Sequence, residues 1–378
     1  MPRKGENIYK RKDGRWEGRY IKNYGIDGKA QYGYVYGKTY ASVKQSLRDQ
    51  QAATIINKRF PSRTSVPYEE ILRSWLEAQR INIKESTYAR YYQVLYTHII
   101  PAMGKIMIDK ISTQLVERYI AQLIDAGRMD GSGGLSTKTV SDMLTIIKAS
   151  MEYAKYNDYL VVCNLDKICI KQAKEEIRVL TLVEQQKLTN ALLENTDFVK
   201  LGILLSLYTG IRLGEVCALK WENLNVTDGI LSVRETMQRI KDTSNHSIAK
   251  TKIVITEPKS KSSVRDIPLP SFVIEIAKGF QGNGNTFILT GERTRFIEPR
   301  TMQNRFKSIV KEINIDDVNY HALRHTFATR CVEVDFEIKT LSEILGHSNV
   351  NITLNRYVHS SLDLKKANMG KLCCISDS

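Results

Sequence analysis

Leu345-Gly346-His347-Ser348-Asn349-Val350-Asn351-Ile352-Thr353-Leu354-Asn355-Arg356-Tyr357 is the stretch that decides how this chain is read. Upstream of it lie His321-Ala322-Leu323-Arg324-His325 and Thr209-Gly210-Ile211-Arg212-Leu213-Gly214-Glu215. Two arginines, two histidines and a late tyrosine form a set able to hold a phosphodiester and attack it. Arginine offers a rigid fork of donors that matches two phosphate oxygens, and it keeps its charge. Tyrosine has a free pKa of about 10, so it attacks only where neighbours take or neutralise its proton.

The chain around this pattern has 378 residues, too many for one ordinary domain and suited to two or three. Its hydrophobic fraction of 42% is enough for real cores. The formal net charge of +15 points to an anionic partner, and the excess is clustered. Residues 1–64 hold 15 Lys and Arg against 5 Asp and Glu, a balance of +10; the remaining 41 against 36 leave +5. Six cysteines, at 163, 169, 217, 331, 373 and 374, follow no repeated short spacing, which argues against a zinc knuckle or a disulfide framework and fits a reducing cytosol. No apolar segment of signal-peptide length follows Met1, and no run of about eighteen apolar residues occurs. A soluble, cytoplasmic protein without a membrane partner is expected.

Residues 5–40 read as short strands and turns. Asp13-Gly14 is a hairpin signal, and Asp27-Gly28 before Gln31-Tyr32-Gly33-Tyr34-Val35-Tyr36 repeats it. Residues 42–58 have helical composition. Trp16, Tyr20 and Tyr34 can supply a small core, but the surplus of Lys and Arg around them calls for a polyanion, with Arg15, Arg19 and Lys22 as candidate contacts. Residues 65–165 change character and read as a helical bundle, with helices at 68–80, 86–99, 113–125 and 137–158. Ser136 is the expected N-cap of the last. Ile71, Leu72, Trp75 and Leu76 share one face and belong to the core. The charged stretch 167–178 reads as a linker.

From residue 179 the chain opens with a capping box, Thr181-Leu182-Val183-Glu184, and continues with helices at 198–208 and from Arg212. Strands are expected at 230–233, 252–255 and 264–269, the last two joined as a hairpin by Glu257-Pro258-Lys259-Ser260-Lys261-Ser262-Ser263. The polar segment 241–252 reads as an inserted loop.

Here the chain resembles the tyrosine recombinase family, in particular phage and conjugative-element integrases. The matching order is Arg212, then Lys259 in Pro258-Lys259-Ser260-Lys261-Ser262-Ser263-Val264-Arg265, then His321 and Arg324, His347, and Tyr357 ten positions later. The resemblance implies that Arg212 and Arg324 clamp the scissile phosphate, with Glu215 orienting Arg212. It implies that Tyr357 attacks phosphorus to give a 3′-phosphotyrosine link and a free 5′-hydroxyl. Lys259 takes the family's general-acid position, and Lys261, two residues on, remains the alternative. His321 would assist proton transfer or bind phosphate; His347 would donate to a phosphate oxygen. His321 and His325 also have a zinc-ligand spacing, but no Glu lies between them and Arg324 stands beside them. No metal, cofactor or ATP is expected, because the arginine clamp replaces the ions and the phosphotyrosine ester conserves the phosphodiester energy. The bundle ends in Asn164-Leu165, where the family commonly has Asn-Pro.

The expected fold is multidomain. It comprises a small α+β N-terminal arm-binding module (1–64), an all-α core-binding bundle (65–166), a linker (167–178), and a mainly α catalytic domain with a small antiparallel sheet and a C-terminal tail (179–378). The resemblance implies double-stranded DNA with core and arm sites as partner, a homotetramer on that DNA, and room for an excisionase and DNA-bending accessory proteins. Two rivals carry over: a relaxing enzyme like the type IB topoisomerases, and a non-catalytic DNA-binding regulator.

Overall fold

The structure is a computed structural model that describes residues 7–24, 30–59, 65–171, 178–243, 250–258 and 260–357, without the side chains of 22–24, 51–59 and 261. The chain divides into two compact units, Met1–Ala173 and Lys174–Ser378.

In the first unit, β1 (Ile8–Lys10), β2 (Trp16–Tyr24) and β3 (Ala30–Gly37) form an antiparallel sheet in that order. Gly14, at φ 85°, makes the first turn where the Asp-Gly signal lies; the second signal, 27–28, is outside the described residues. Gly18 stands between Ile8 and Val35 on one face of the sheet. There α1 (Tyr40–Arg59) brings Leu47 so near that a Cβ on Gly18 would lie 2.6 Å from it. Ile8, Val43 and Leu47 form this small core, with Trp16 and Tyr20 packed against it. Tyr34 departs from the expected core. It pairs with Arg19 on the opposite face and, with Tyr32 and Tyr36, is exposed.

The bundle of this unit has its own core. Along α2 (Tyr68–Gln79), the buried residues Tyr68, Ile71, Leu72, Trp75 and Leu76 recur at helical spacing. α3 (Glu85–Val94) runs into a π-turn, Leu95–Ile99, and then α4 (Ile100–Met103). The widened turn accommodates Pro101, whose ring has no N–H to give and would crowd the carbonyl four residues back. α5 (Thr113–Ala126) and α6 (Thr137–Tyr156) complete the set, with the Ser136 hydroxyl accepting from the Thr139 N–H at 3.2 Å. Cys163 and Leu165 are buried in the same core, and Ile168 and Ile170 pack against it. The first part of the stretch read as a linker therefore stays on the bundle. Apolar residues at 168 and 170 within a charged run explain it.

The second unit begins with α7 (Leu182–Leu193), closed by the expected capping box: the Thr181 hydroxyl takes the Glu184 N–H at 3.2 Å, and Glu184 takes the Thr181 N–H at 2.8 Å. α8 (Phe198–Thr209) is buried nearly all round and forms the centre of the unit. After α9 (Leu213–Ala218) come β4 (Leu224–Asn225), β5 (Ile230–Val233), β6 (Thr236–Lys241), β7 (Thr251–Thr256) and β8 (Arg265–Pro268). They make two small sheets, β4-β5-β8 and β6-β7.

This corrects three expectations. β7 and β8 do not form a hairpin, because β7 pairs with β6 and β8 with β5, in different sheets. β6 gives no strand signal because its buried residues, Met237 and Ile240, stand three apart rather than two. The two ends of the polar segment 241–252 therefore belong to the β6–β7 ladder, with Lys241 facing Thr251 and Ile240 facing Lys252, while 244–249 lie outside the described residues. α10 (Ser271–Lys278), α11 (Pro299–Glu312), α12 (His321–Glu333), α13 (Ile338–Leu345) and α14 (Val350–Tyr357) end the described chain.

Candidate active site

The site is assembled at the C-terminal end of α13. A helix leaves its last carbonyls unpaired, and these carry partial negative charge. Gly346, at φ 65°, turns the chain out of the helix. Three successive carbonyls then hold three arginines: Ile344 accepts from Arg265 Nε, Leu345 from Arg324 Nη2 at 2.7 Å, and Gly346 from Arg212 Nη2 at 3.1 Å. Arg324 also donates from Nη1 to the Gly210 carbonyl at 2.7 Å. Gly210 is itself left-handed, at φ 65°, and lies so close to α12 that a Cβ would meet the Phe327 ring at 2.6 Å.

Arg212 is the N-cap residue of α9, and Glu215 folds back onto it. The carboxylate accepts from the Arg212 backbone N–H at 2.8 Å and from Nη1 at 2.8 Å. Its other neighbour is Arg265, bound through both guanidinium nitrogens at 2.9 and 3.2 Å. Glu215 is 3% exposed. Burial pushes its pKa up, but the hydrogen bonds and charge of Arg265, with Arg212, outweigh this and hold it below the usual carboxylate range. One buried carboxylate thus fixes two arginines.

α12 presents His321, Arg324 and His325 to the same place. Burial, then the charge of Arg212, lowers Arg324 to about 9, so it remains a cation at neutral pH. All three histidines are held neutral, by burial first and by the neighbouring charged groups second: His321 is pushed down to about 4, His347 to about 4 and His325 to about 3. His347 Nδ1 bonds the Thr353 hydroxyl at 2.8 Å, and Thr353 is fully buried. Tyr357 ends α14 with its ring against Ala328, Cys331, Leu341 and Leu345, and its hydroxyl 2.8 Å from His325 Nδ1. Burial raises the phenol's pKa; Arg324, Arg356 and Arg212 oppose it. The other nearby tyrosine, Tyr320, is a packing residue, with its hydroxyl on Ser206 at 2.8 Å.

Arg212, Glu215, His321, Arg324, His347 and Tyr357 thus come together as the pattern predicts. Lys259 lies outside the described residues, as does the side chain of Lys261. Ser262, which follows them in the chain, borders the site, since a Cβ on Gly346 would lie 3.1 Å from its carbonyl. At the other end of the chain, Arg15 is paired with Asp13 at 2.8 Å, and the Arg19 guanidinium lies 3.4 Å from the centre of the Tyr32 ring. Lys22 is in β2, but its side chain is outside the described residues.

Three participants are not foreseen by the pattern. Arg265 stands at the end of the lysine motif, but its partner is 50 residues away. His325 has a zinc-ligand spacing from His321, yet that same i+4 spacing simply places both on one face; the two rings meet edge-on, 4.6 Å apart. Thr353 carries no sequence signal. Among the described residues, no three His, Cys, Asp or Glu side chains are grouped to hold a metal, and no helix is long and apolar enough to cross a membrane.

Comparison with known proteins agrees with this architecture. The phage integrase family model matches residues 175–363, and the N-terminal SAM-like domain of phage integrases matches 68–124. A XerC-like tyrosine recombinase of Caldanaerobacter subterraneus subsp. tengcongensis is 26% identical over 349 residues, covering 86% of this chain and 87% of the relative. The Tn1549 transposon integrase in complex with a circular intermediate DNA superposes with a TM-score of 0.66 at 22% identity, covering 82% of this chain and 100% of that one. A lambda integrase tetramer bound to a Holliday junction gives 0.57 at 16%, covering 96% and 98%. With one family model spanning half its length and the arginines and tyrosine of the pattern gathered at one site, this chain belongs to the phage integrase family, the tyrosine recombinases.

Proposed function

We propose that the chain is a site-specific integrase that cuts and rejoins DNA through Tyr357 without metal or ATP. The observation that carries this is the convergence of Arg212, Arg324 and Tyr357 on the end of α13. Each guanidinium has five N–H groups; among the described residues, backbone carbonyls and Glu215 take two from each, and Arg324 also faces the Tyr357 oxygen. Other donors of the two forks can bind the non-bridging oxygens of a phosphate and stabilise the extra charge of the pentavalent transition state.

The Tyr357 oxygen forms the bond to phosphorus and the bond to the 5′-oxygen breaks, leaving a 3′-phosphotyrosine ester. A lysine of the 259–261 segment gives the leaving oxygen its proton, by Lys259 or Lys261. With Nδ1 occupied by Thr353, His347 turns Nε2 to a phosphate oxygen, and His321 assists beside it. A different 5′-hydroxyl then attacks the ester and completes the exchange. The second unit and the bundle at 65–166 hold the core site and the 1–64 module holds an arm site, so tethering raises the effective concentration of the second site. Four protomers act together on DNA, with an excisionase and DNA-bending proteins as the expected helpers for direction.

The test is a labelled, nicked half-site duplex from the element's own end, incubated with the protein in chelator and resolved under denaturing conditions. A covalent adduct that disappears in Tyr357→Phe, with binding kept, is the expected result. Binding without any adduct would favour a regulator instead, and an adduct that relaxes supercoils but never joins two duplexes would favour a topoisomerase.

A further inference from the structure

The recombinase pattern leaves one question of chemistry open: where the proton of Tyr357 goes. Within the site most candidates are already engaged. Glu215 is saturated by Arg212 and Arg265, and His347 Nδ1 is tied to Thr353. Arg324 faces the phenol oxygen but has only donors to offer. Among the described residues, the group at hydrogen-bond distance from the Tyr357 hydroxyl that can accept its proton is His325 Nδ1, at 2.8 Å, on a residue 7% exposed. Resting on the recombinase reading above, we propose that His325 is the proton acceptor for the nucleophile, its Nδ1 taking the phenolic proton as the Tyr357 oxygen attacks phosphorus.

The step balances within the site. The O–H bond of Tyr357 breaks and an Nδ1–H bond forms on His325, while the phenol oxygen bonds phosphorus. The 5′-oxygen leaves with a proton from the 259–261 lysine. Rejoining runs the same transfers backwards, and His325 returns its proton to the departing phenol. The acceptor tautomer is the neutral one with hydrogen on Nε2, and the surroundings favour a neutral ring. Facing His325 are His321 and Arg324 from its own helix, Arg356 and Tyr357 from α14, and His347 from the turn between α13 and α14. The two arginines make an imidazolium costly in the free protein. A phosphate between Arg212 and Arg324 brings two negative charges at the transition state, and the site then tolerates the proton it receives. DNA binding itself would prepare the base.

The experiment measures single-turnover adduct formation on two half-site duplexes, one natural and one with sulfur at the bridging 5′ position. A thiol has a pKa of about 8.5, so the sulfur leaves without an acid and only the nucleophile's proton transfer remains visible. His325→Ala and His325→Asn are expected to slow adduct formation by about 10²-fold or more on both duplexes, with half-site affinity unchanged. Asparagine keeps a hydrogen bond to the tyrosine but cannot accept its proton, so a slow, folded Asn variant separates proton transfer from positioning. Imidazole in the buffer is expected to rescue His325→Ala in part. The wild-type rate on the sulfur duplex is expected to fall as pH is lowered and His325 becomes protonated.

His325→Asn at wild-type speed, or sulfur restoring both variants to full rate, would overturn the assignment. If neither variant folds, the wild-type rate on the sulfur duplex in heavy water decides, and a rate unchanged from that in ordinary water rejects transfer of the phenolic proton in the attacking step. Failure of the wild type to form any Tyr357-dependent adduct would instead bring down the recombinase reading, and this inference with it.

Discussion

The Arg265 guanidinium meets the Glu215 carboxylate fork to fork, 2.9 Å from Nη2 to Oε2 and 3.2 Å from Nη1 to Oε1, with both side chains out of solvent. Because the same carboxylate holds Arg212, a residue outside the proposed phosphate clamp sets the geometry of one of its arginines. Removing one member of a buried, hydrogen-bonded ion pair strands the other, at about 3–5 kcal/mol. Arg265→Ala should therefore destabilise the second unit by about that much, and Arg265→Lys should recover only part, since an ammonium cannot span both oxygens. The chain has three tryptophans, Trp16, Trp75 and Trp221, and only the last is in the second unit. In a Trp16→Phe, Trp75→Phe background the urea transition followed by Trp221 fluorescence reports that unit alone. An unchanged midpoint would show that Arg265 is dispensable.

The same carboxylate makes stability depend on acid. Its folded-state pKa lies below the ordinary 4.5, so the unfolded chain binds its proton more readily. The contribution is complete above pH 4.5 and is lost as pH falls through the lower folded value. Glu215→Gln should be less stable than wild type near neutrality, and the gap should narrow on acidification. Urea midpoints at neutral pH and below the ordinary carboxylate pKa measure this. A gap that stays constant would mean that Glu215 does not titrate between the two states.

Two glycines hold the clamp's carbonyls. Gly210 and Gly346 both sit at φ 65°, where a side chain is strained; Gly210 has no room for one and Gly346 only a tight fit. A Cβ on Gly346 would stand 3.1 Å from Arg265 and from the Ser262 carbonyl; on Gly210 it would press into Phe327 and Leu345. Alanine at either position should cost about 1–3 kcal/mol and displace the carbonyls that hold Arg212 and Arg324. Adduct formation should fall more than half-site affinity does, because a misplaced clamp still carries its charge. Equal losses in the two measurements would separate these turns from the chemistry.

What the sequence discloses follows from where its information lies. Arg212, Arg324, His347 and Tyr357 stand in short runs whose spacing is itself a signal, and the fold brings those runs to one place. The capping box at Thr181 and the N-cap at Ser136 are legible because a cap is decided within four residues. Arg265 is visible in its motif but its role is not, since nothing local reveals a partner 50 positions back. The same limit produces the false hairpin. The polar run between β7 and β8 looks like a turn, but strand pairing is settled by packing over the whole unit. Tyr34 falls on the face opposite to the expected one because tyrosine suits either, and the register decides which.

The N-terminal sheet separates two of its candidate contacts by their present company. Arg15 is engaged by Asp13 within its own turn and must break that pair to reach a phosphate. Among the described residues Arg19 has no carboxylate partner, and its guanidinium carbon lies over the Tyr32 ring, on the face that exposes Tyr32, Tyr34 and Tyr36. A cation already ordered and unpaired loses little on meeting DNA. Arg19→Ala should thus weaken binding to an arm-site duplex more than Arg15→Ala does. It should also flatten the log–log salt dependence by about 0.9 for each phosphate that is no longer neutralised. Anisotropy titrations of that duplex across a salt series give both quantities, while adduct formation on a core half-site should stay unchanged. Identical slopes for wild type and Arg19→Ala would place the DNA elsewhere than on this face. A slope reduced equally in Arg15→Ala would mean that the Asp13 pair opens at negligible cost, as exposed ion pairs worth under about 1 kcal/mol often do.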